Sequence, residues 1–117
     1  MAMARIGLIG CGTWGRNLAR NLSQLGALAS VADRNVENAA AFADEFDSKA
    51  DSIDAVLEEH ELDGIIVATP AFTHAEMACR ALAAGRHVYV EKPLAMSLDE
   101  ANSIAAASSD AGRMVMV

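Results

Sequence analysis

Aromatic side chains are scarce: the 117 residues include three Phe, one Trp and one Tyr, 4% in all. A core must then be assembled from aliphatic side chains and close-packed alanines, which suits helices laid on a sheet. Cysteine is nearly absent too. Cys11 and Cys79 form no CxxC pair and have no His/Cys cluster beside them, which argues against zinc or any other metal site and reads as two free thiols. Positive charge is in short supply, with nine Lys and Arg against sixteen Asp and Glu and a net charge of −7. An acidic domain without a basic cluster repels phosphate backbones and anionic membranes, so neither nucleic acid nor a membrane surface is an expected partner. No apolar run approaches the roughly 18 residues of a membrane span, and the opening residues carry no sustained hydrophobic stretch, so a cytoplasmic location is expected. What is plentiful is apolar residue, 53% against 21% charged, the balance of a globular chain. Residues 1–117 read as one domain.

Short Val- and Ile-rich runs alternate with longer segments of helical period. The runs are Arg5–Ile9, Ala27–Ala32, Gly64–Ala68, His87–Val90 and Arg113–Val117, with a weaker one at Ser48–Ala50. Between them Leu18, Leu22 and Leu25 share a helical face. So do Ala39, Phe42, Ala43 and Phe46, then Ile53, Val56 and Leu57, then Ala75, Ala78, Cys79 and Leu82, then Leu98, Ala101, Ile104 and Ala105. Strands apolar throughout and separated by helices predict a doubly wound α/β fold, a parallel sheet covered on both faces with right-handed crossovers.

The boundaries carry their own signals. Thr73-His74-Ala75-Glu76 and Ser97-Leu98-Asp99-Glu100 read as capping boxes, and Asn35 and Asp51 as N-caps. Gly26, Gly85 and Gly112 follow helical stretches, where a left-handed residue closes the last turn. The final Met114-Val115-Met116-Val117 is an apolar run with no polar tail. The expectation is a last strand at which the domain is truncated, with a further C-terminal domain absent from the chain.

Gly10-Cys11-Gly12-Thr13-Trp14-Gly15 matches G-x-G-x-x-G, directly after the run Ile6–Ile9 and at the start of a helix. In that context Gly10 permits the tight turn, Gly12 lets the backbone approach a pyrophosphate and Gly15 lets helix and strand pack closely. Amides near Thr13 and Trp14, with the positive end of the helix dipole, bind the diphosphate. Cys11 reads as a small residue tolerated beside the cofactor, although a helix N-terminus can also activate a thiol. Trp14 reads as a packing residue that contributes its N–H. Eighteen positions after Gly15, Asp33 ends the second strand, where a carboxylate accepts the adenosine ribose hydroxyls. Its charge repels a 2′-phosphate and favours NAD over NADP, whereas Arg34 could hold that phosphate or lie against the adenine. Two further polar clusters fall at strand ends on the same sheet edge: Ala68-Thr69-Pro70 followed by His74, and Glu91-Lys92-Pro93, whose Lys-Pro bond could be cis. His60 reads as a surface residue and His87 as structural.

With its glycine loop, Asp33-Arg34, Ala68-Thr69-Pro70 with His74, and Gly85-Arg86-His87-Val88 leading into Glu91-Lys92-Pro93-Leu94, the sequence resembles the Gfo/Idh/MocA family of oxidoreductases along nearly its whole length. The resemblance implies an N-terminal NAD(P)-binding Rossmann domain. The α/β domain that follows it in the family carries the substrate pocket, further catalytic residues and the oligomer interface. Thr69, Pro70 and His74 would line the cofactor cleft, and Glu91 and Lys92 would border the nicotinamide half. Lys92 would also lie near the reacting hydroxyl as the candidate catalytic group. Whether Lys92 acts as the base or only hydrogen-bonds the developing oxyanion, with a base supplied from elsewhere, stays open. The implied function is hydride transfer between a nicotinamide cofactor and a CH–OH group of a sugar, polyol or related compound, in a full-length protein that is a homo-oligomer. A non-catalytic module that senses NAD(H) uses the same loop and carboxylate, and a domain binding FAD or S-adenosylmethionine is a third possibility, which the Glu-Lys-Pro cluster disfavours.

Overall fold

A computed structural model describes residues 3–117. In chain order it runs β1 (Ile6–Ile9), α1 (Thr13–Gln24), β2 (Leu28–Ala32), α2 (Val36–Glu45), β3 (Lys49–Ala50), α3 (Ile53–Glu58), β4 (Gly64–Val67), a 3-10 turn (Ala71–Thr73), α4 (His74–Ala83), β5 (His87–Val90), α5 (Leu98–Ala111) and β6 (Val115–Met116). The strands form one parallel sheet in the order β3-β2-β1-β4-β5-β6. That is a doubly wound sheet, in which chain order reverses between β1 and β4 and a crevice opens at the carboxyl ends of those strands.

Alternate residues of the inner strands enter two cores. Leu8 and Val31 join Ala19, Ala39 and Phe42 beneath α1 and α2. Ile9, Ala32, Ile65, Val67, Val88 and Val90 face the other way, onto Val56 and Leu57 of α3, Ala78 and Leu82 of α4 and Ile104 of α5. Small residues at Ala19, Ala78 and Ala81 are fully buried and let the helices lie close to the sheet. The α1–α2 face is not roofed over its whole width. Ile66, Tyr89 and Met116, adjacent in register, line an apolar groove of ≈ 330 Å³ on the β4–β5–β6 half.

Helix ends depart from the sequence expectations at two places. Asn35 caps α2 as expected, its Oδ1 accepting the amides of Glu37 and Asn38 at 2.9 and 3.2 Å. Ser97 caps α5 as expected, accepting the Glu100 amide at 3.1 Å, and the Glu100 carboxylate reaches back to the Met96 amide at 2.9 Å. The cap of α3 is Ser52, not Asp51: its hydroxyl accepts the Ala55 amide at 3.0 Å, while Asp51 pairs with Lys49. Thr73 does not form the expected capping box either. Its hydroxyl donates to the Pro70 carbonyl at 2.7 Å, because the 3-10 turn runs straight into α4 and brings that carbonyl within reach first. No helix among the described residues is long and apolar enough to cross a membrane.

Candidate functional site

Four loops leave the sheet at its carboxyl edge, and backbone hydrogen bonds beyond the strand ends hold them in register. The Gly10 amide donates to Ala32 O at 2.8 Å, Ala68 to Ile9 O at 2.8 Å and Glu91 to Val67 O at 2.9 Å. Gly10–Gly15, Asp33-Arg34, Ala68–Pro70 and Glu91–Pro93 therefore share one edge. The Lys92–Pro93 peptide is cis.

Within the first loop, Gly10 has φ +115, and a Cβ there would stand 2.4 Å from Ala68 O. Gly15 is in tighter contact still: a Cβ would lie 2.1 Å from Gly10 O. Gly12 differs, because a Cβ at this position would meet nothing within 4 Å. Gly12 is also the N-cap of α1, and no side chain caps that helix, unlike α2, α3 and α5. The first-turn amides, which have no intrahelical acceptor, face the open space above Gly12. This is a cradle for an anion, with the helix dipole adding its positive end.

Asp33 closes the cradle. One carboxylate oxygen accepts the Cys11 amide at 2.8 Å and the other the Asn35 amide at 2.9 Å. Each oxygen keeps lone pairs free for further donors. A cavity of ≈ 560 Å³ opens beside it, lined by Asp33, Arg34, Val36 and Ala39 on one wall and by Asp51–Asp54 on the other. The second wall is absent from the sequence expectations. Its only signal is the short β3, whose pairing with β2 carries the following turn to the same edge.

A second cavity, of ≈ 420 Å³, is lined by Trp14, Ala68, Thr69, Glu91 and Lys92. Trp14 is 56% exposed on its rim and is not the packing residue expected. The tight Gly15 contact packs helix against strand without it. Lys92 is exposed and, among the described residues, forms no ion pair. Its neighbour Glu91 is engaged instead by Tyr89, whose hydroxyl donates to Glu91 Oε1 at 3.3 Å. Burial, and then the nearby Glu91 carboxylate, push the Tyr89 hydroxyl above its ordinary pKa, so it remains a donor. Thr69 donates to Thr73 Oγ1 at 2.6 Å, since the Thr73 proton is already committed to Pro70 O.

Two expected site residues do not line the cleft, and the alternative of an activated Cys11 thiol fails. His74 does not line the cleft: it is 1% exposed, and both ring nitrogens face main-chain carbonyls. Pro70 is exposed and opens the 3-10 turn, away from the walls of the second cavity. Cys11 is buried, with Sγ 3.5 Å from Ala32 O. Desolvation by burial, and then the Asp33 charge, push its thiol up to about 12, the reverse of activation. His60 is exposed beside Arg86, a surface residue as expected, and His87 accepts the Met114 amide at 3.0 Å, a structural role as expected. Among the described residues no group of three or more His, Cys, Asp or Glu could hold a metal ion.

Residues 4–117 match the profile of an oxidoreductase family with an NAD-binding Rossmann fold, GFO_IDH_MocA. The chain belongs to the Gfo/Idh/MocA oxidoreductase family. Among its Gfo/Idh/MocA relatives, glucose-6-phosphate 3-dehydrogenase of Bacillus subtilis (strain 168) is 41% identical over 103 residues, 86% of this chain and 29% of the relative. The crystal structure of a putative myo-inositol dehydrogenase from Sinorhizobium meliloti 1021 superposes with a TM-score of 0.93 at 30% identity, covering 98% of this chain and 36% of that one. A 3-ketoreductase from Actinomadura kijaniata, solved with NADP and TDP-benzene, superposes with a TM-score of 0.92 at 30% identity, over 98% of this chain and 37% of that one. The chain thus spans about a third of the length of such Gfo/Idh/MocA proteins.

Proposed function

We propose that the chain is the dinucleotide-binding part of an NAD-dependent oxidoreductase acting on a CH–OH group of a sugar, polyol or related hydroxy compound. One observation carries this reading: an uncapped helix N-terminus over an open Gly12, with Asp33 hydrogen-bonded to the same loop. The residues fit the cofactor. The α1 amides would hold the diphosphate, and the Asp33 carboxylate would accept ribose hydroxyls in the first cavity. The second cavity would take the nicotinamide half, next to Lys92.

When bound, the nicotinamide supplies a hydride acceptor or donor. The chain's own residues do the rest. Trp14 and Thr69 wall the cleft and limit the access of water. The unpaired Lys92 ammonium offers three donors to an oxygen that gains negative charge. Tyr89 holds Glu91, leaving Lys92 unencumbered. The Bacillus subtilis relative is named a glucose-6-phosphate 3-dehydrogenase, which supports a sugar hydroxyl as the reacting group here.

NAD is favoured over NADP because the Asp33 carboxylate, which among the described residues forms no ion pair, borders the first cavity; Asp51 and Asp54 border it too but are paired with Lys49 and Arg80, and Arg34 is the one cation in its lining. A 2′-phosphate adds about two negative charges there. Calorimetric titration of the chain should give an NAD affinity at least about tenfold tighter than that for NADP, a gap of ~1.4 kcal/mol. Asp33→Ser should weaken NAD and narrow the gap. Equal affinities in the wild type would refute the cofactor preference, and no binding of either at millimolar concentration would refute the function.

A further inference from the structure

His74 opens α4 at 1% exposure, with Nδ1 2.7 Å from Pro93 O and Nε2 2.8 Å from Thr69 O. The two carbonyls belong to different turns, one after β4 and one after β5. Thr69 itself and Lys92, the residue before Pro93, are walls of the second cavity. Among the described residues, no other side chain hydrogen-bonds across these two turns. Carbonyl oxygens only accept. A neutral imidazole donates to one of them, and a ring protonated at both nitrogens donates to both. In either form the ring is wedged between the turns, and no edge of it faces solvent.

We propose that His74 is a positioning residue: its buried ring, set between the Thr69 and Pro93 carbonyls and hydrogen-bonded to at least one of them, fixes the spacing of the turns that present Thr69 and Lys92. It shapes the nicotinamide half of the site without touching the cofactor. This rests on the reading that the second cavity takes that half. A leucine at position 74 fills a similar volume but ties neither carbonyl. The two turns then lose their common anchor, while the glycine loop and Asp33, which His74 does not contact, keep theirs.

The test compares NADH with ADP-ribose, which shares the adenosine and diphosphate but lacks the nicotinamide. Calorimetry on the wild-type chain should show NADH binding at least about fivefold tighter than ADP-ribose, in the range of one hydrogen bond. In His74→Leu, ADP-ribose affinity should stay within about twofold and the NADH advantage should vanish, with His74→Gln, which keeps one donor, recovering part of it. Equal losses for both ligands would make His74 a general fold residue and overturn the proposal, as would an unchanged NADH advantage. A wild type that binds ADP-ribose with no NADH advantage overturns this inference alone, whereas one that binds neither ligand overturns the proposed function as well. If the variants do not fold, ¹⁵N spectra of the wild type decide. The His74 ring signals should shift with NADH and not with ADP-ribose, and equal shifts or none from both sink the idea.

Discussion

Gly12 and Gly15 lie one turn apart in the same loop, yet a methyl group meets different things at each. At Gly15 it would stand 2.1 Å from the Gly10 carbonyl oxygen, a backbone atom that cannot step aside without moving β1 or α1. At Gly12 it would project into empty space from an extended backbone that alanine adopts freely. Gly15→Ala should therefore destabilise the fold by about 1–3 kcal/mol, the usual range for overpacking. Gly12→Ala should melt within about 2 °C of the wild type, since a shift of that size reflects well under 1 kcal/mol in a domain this small. Gly12→Ala should nonetheless lose NAD affinity by about tenfold or more, because the methyl takes the space needed by the diphosphate. Thermal melts and titrations of both variants check the pair. A Gly12→Ala protein that binds NAD normally would mean that the cradle is not used. Cys11 provides a pH counterpart. Its thiol is raised from 9.0 to about 12, first by burial and then by the Asp33 charge. Between those values the unfolded chain has released the proton and the folded chain has not. The stability contributed by the buried thiol is complete below pH 9 and is lost as the pH rises toward 12. Urea midpoints of the wild type should fall relative to those of Cys11→Ala across that interval. Parallel curves would show that the thiol is not desolvated.

Helix starts show how local sequence and tertiary context divide the outcome. Asn35 and Ser97 are themselves extended and begin helices with no competing partner for their side chains, and both cap as their sequence contexts indicate. Asp51 has Lys49 beside it across β3, so its carboxylate is drawn to the ammonium and the adjacent Ser52 takes over as cap. Thr73 meets the capping-box pattern with Glu76, but Pro70 starts a 3-10 turn whose carbonyl claims the hydroxyl. A four-residue pattern cannot register such a competitor, whereas the strands are legible because burial on both faces makes them apolar throughout. Ser97 is remote from both cavities, so Ser97→Ala should lower stability by about 1 kcal/mol. That corresponds to a melting-point drop of roughly 4–8 °C, and NAD binding should remain unchanged. A loss of NAD affinity in this variant would mean that α5 communicates with the cleft.

At the scale of the whole molecule, the sheet order explains which parts of the site the sequence exposed and which it hid. Reversal of chain order between β1 and β4 brings the glycine loop, Asp33, Thr69 and Lys92 to one edge, so motifs written at strand ends were readable together. The Asp51–Asp54 wall and the inward turn of His74 depend on how neighbouring elements pack, and nothing in the local pattern encodes them. The same order grades the stability of the sheet. β1 and β4 pair on both sides over four positions and contribute Leu8, Ile9, Ile65 and Val67 to the cores. β3 and β6 are two residues long, lie at the edges and pair through two positions each. Opening an edge strand exposes little apolar surface, while opening β1 or β4 disrupts the core on both faces, which approaches global unfolding. Amide hydrogen exchange followed by NMR should accordingly place the Leu8 and Ile66 amides among the slowest in the protein and those of Lys49 and Met116 among the fastest. A separation of at least about a hundredfold corresponds to ~2.7 kcal/mol between local and global opening. Uniform protection across the six strands would mean that the sheet opens only as a unit, and the edge strands would then have to be held by interactions beyond their two-residue ladders.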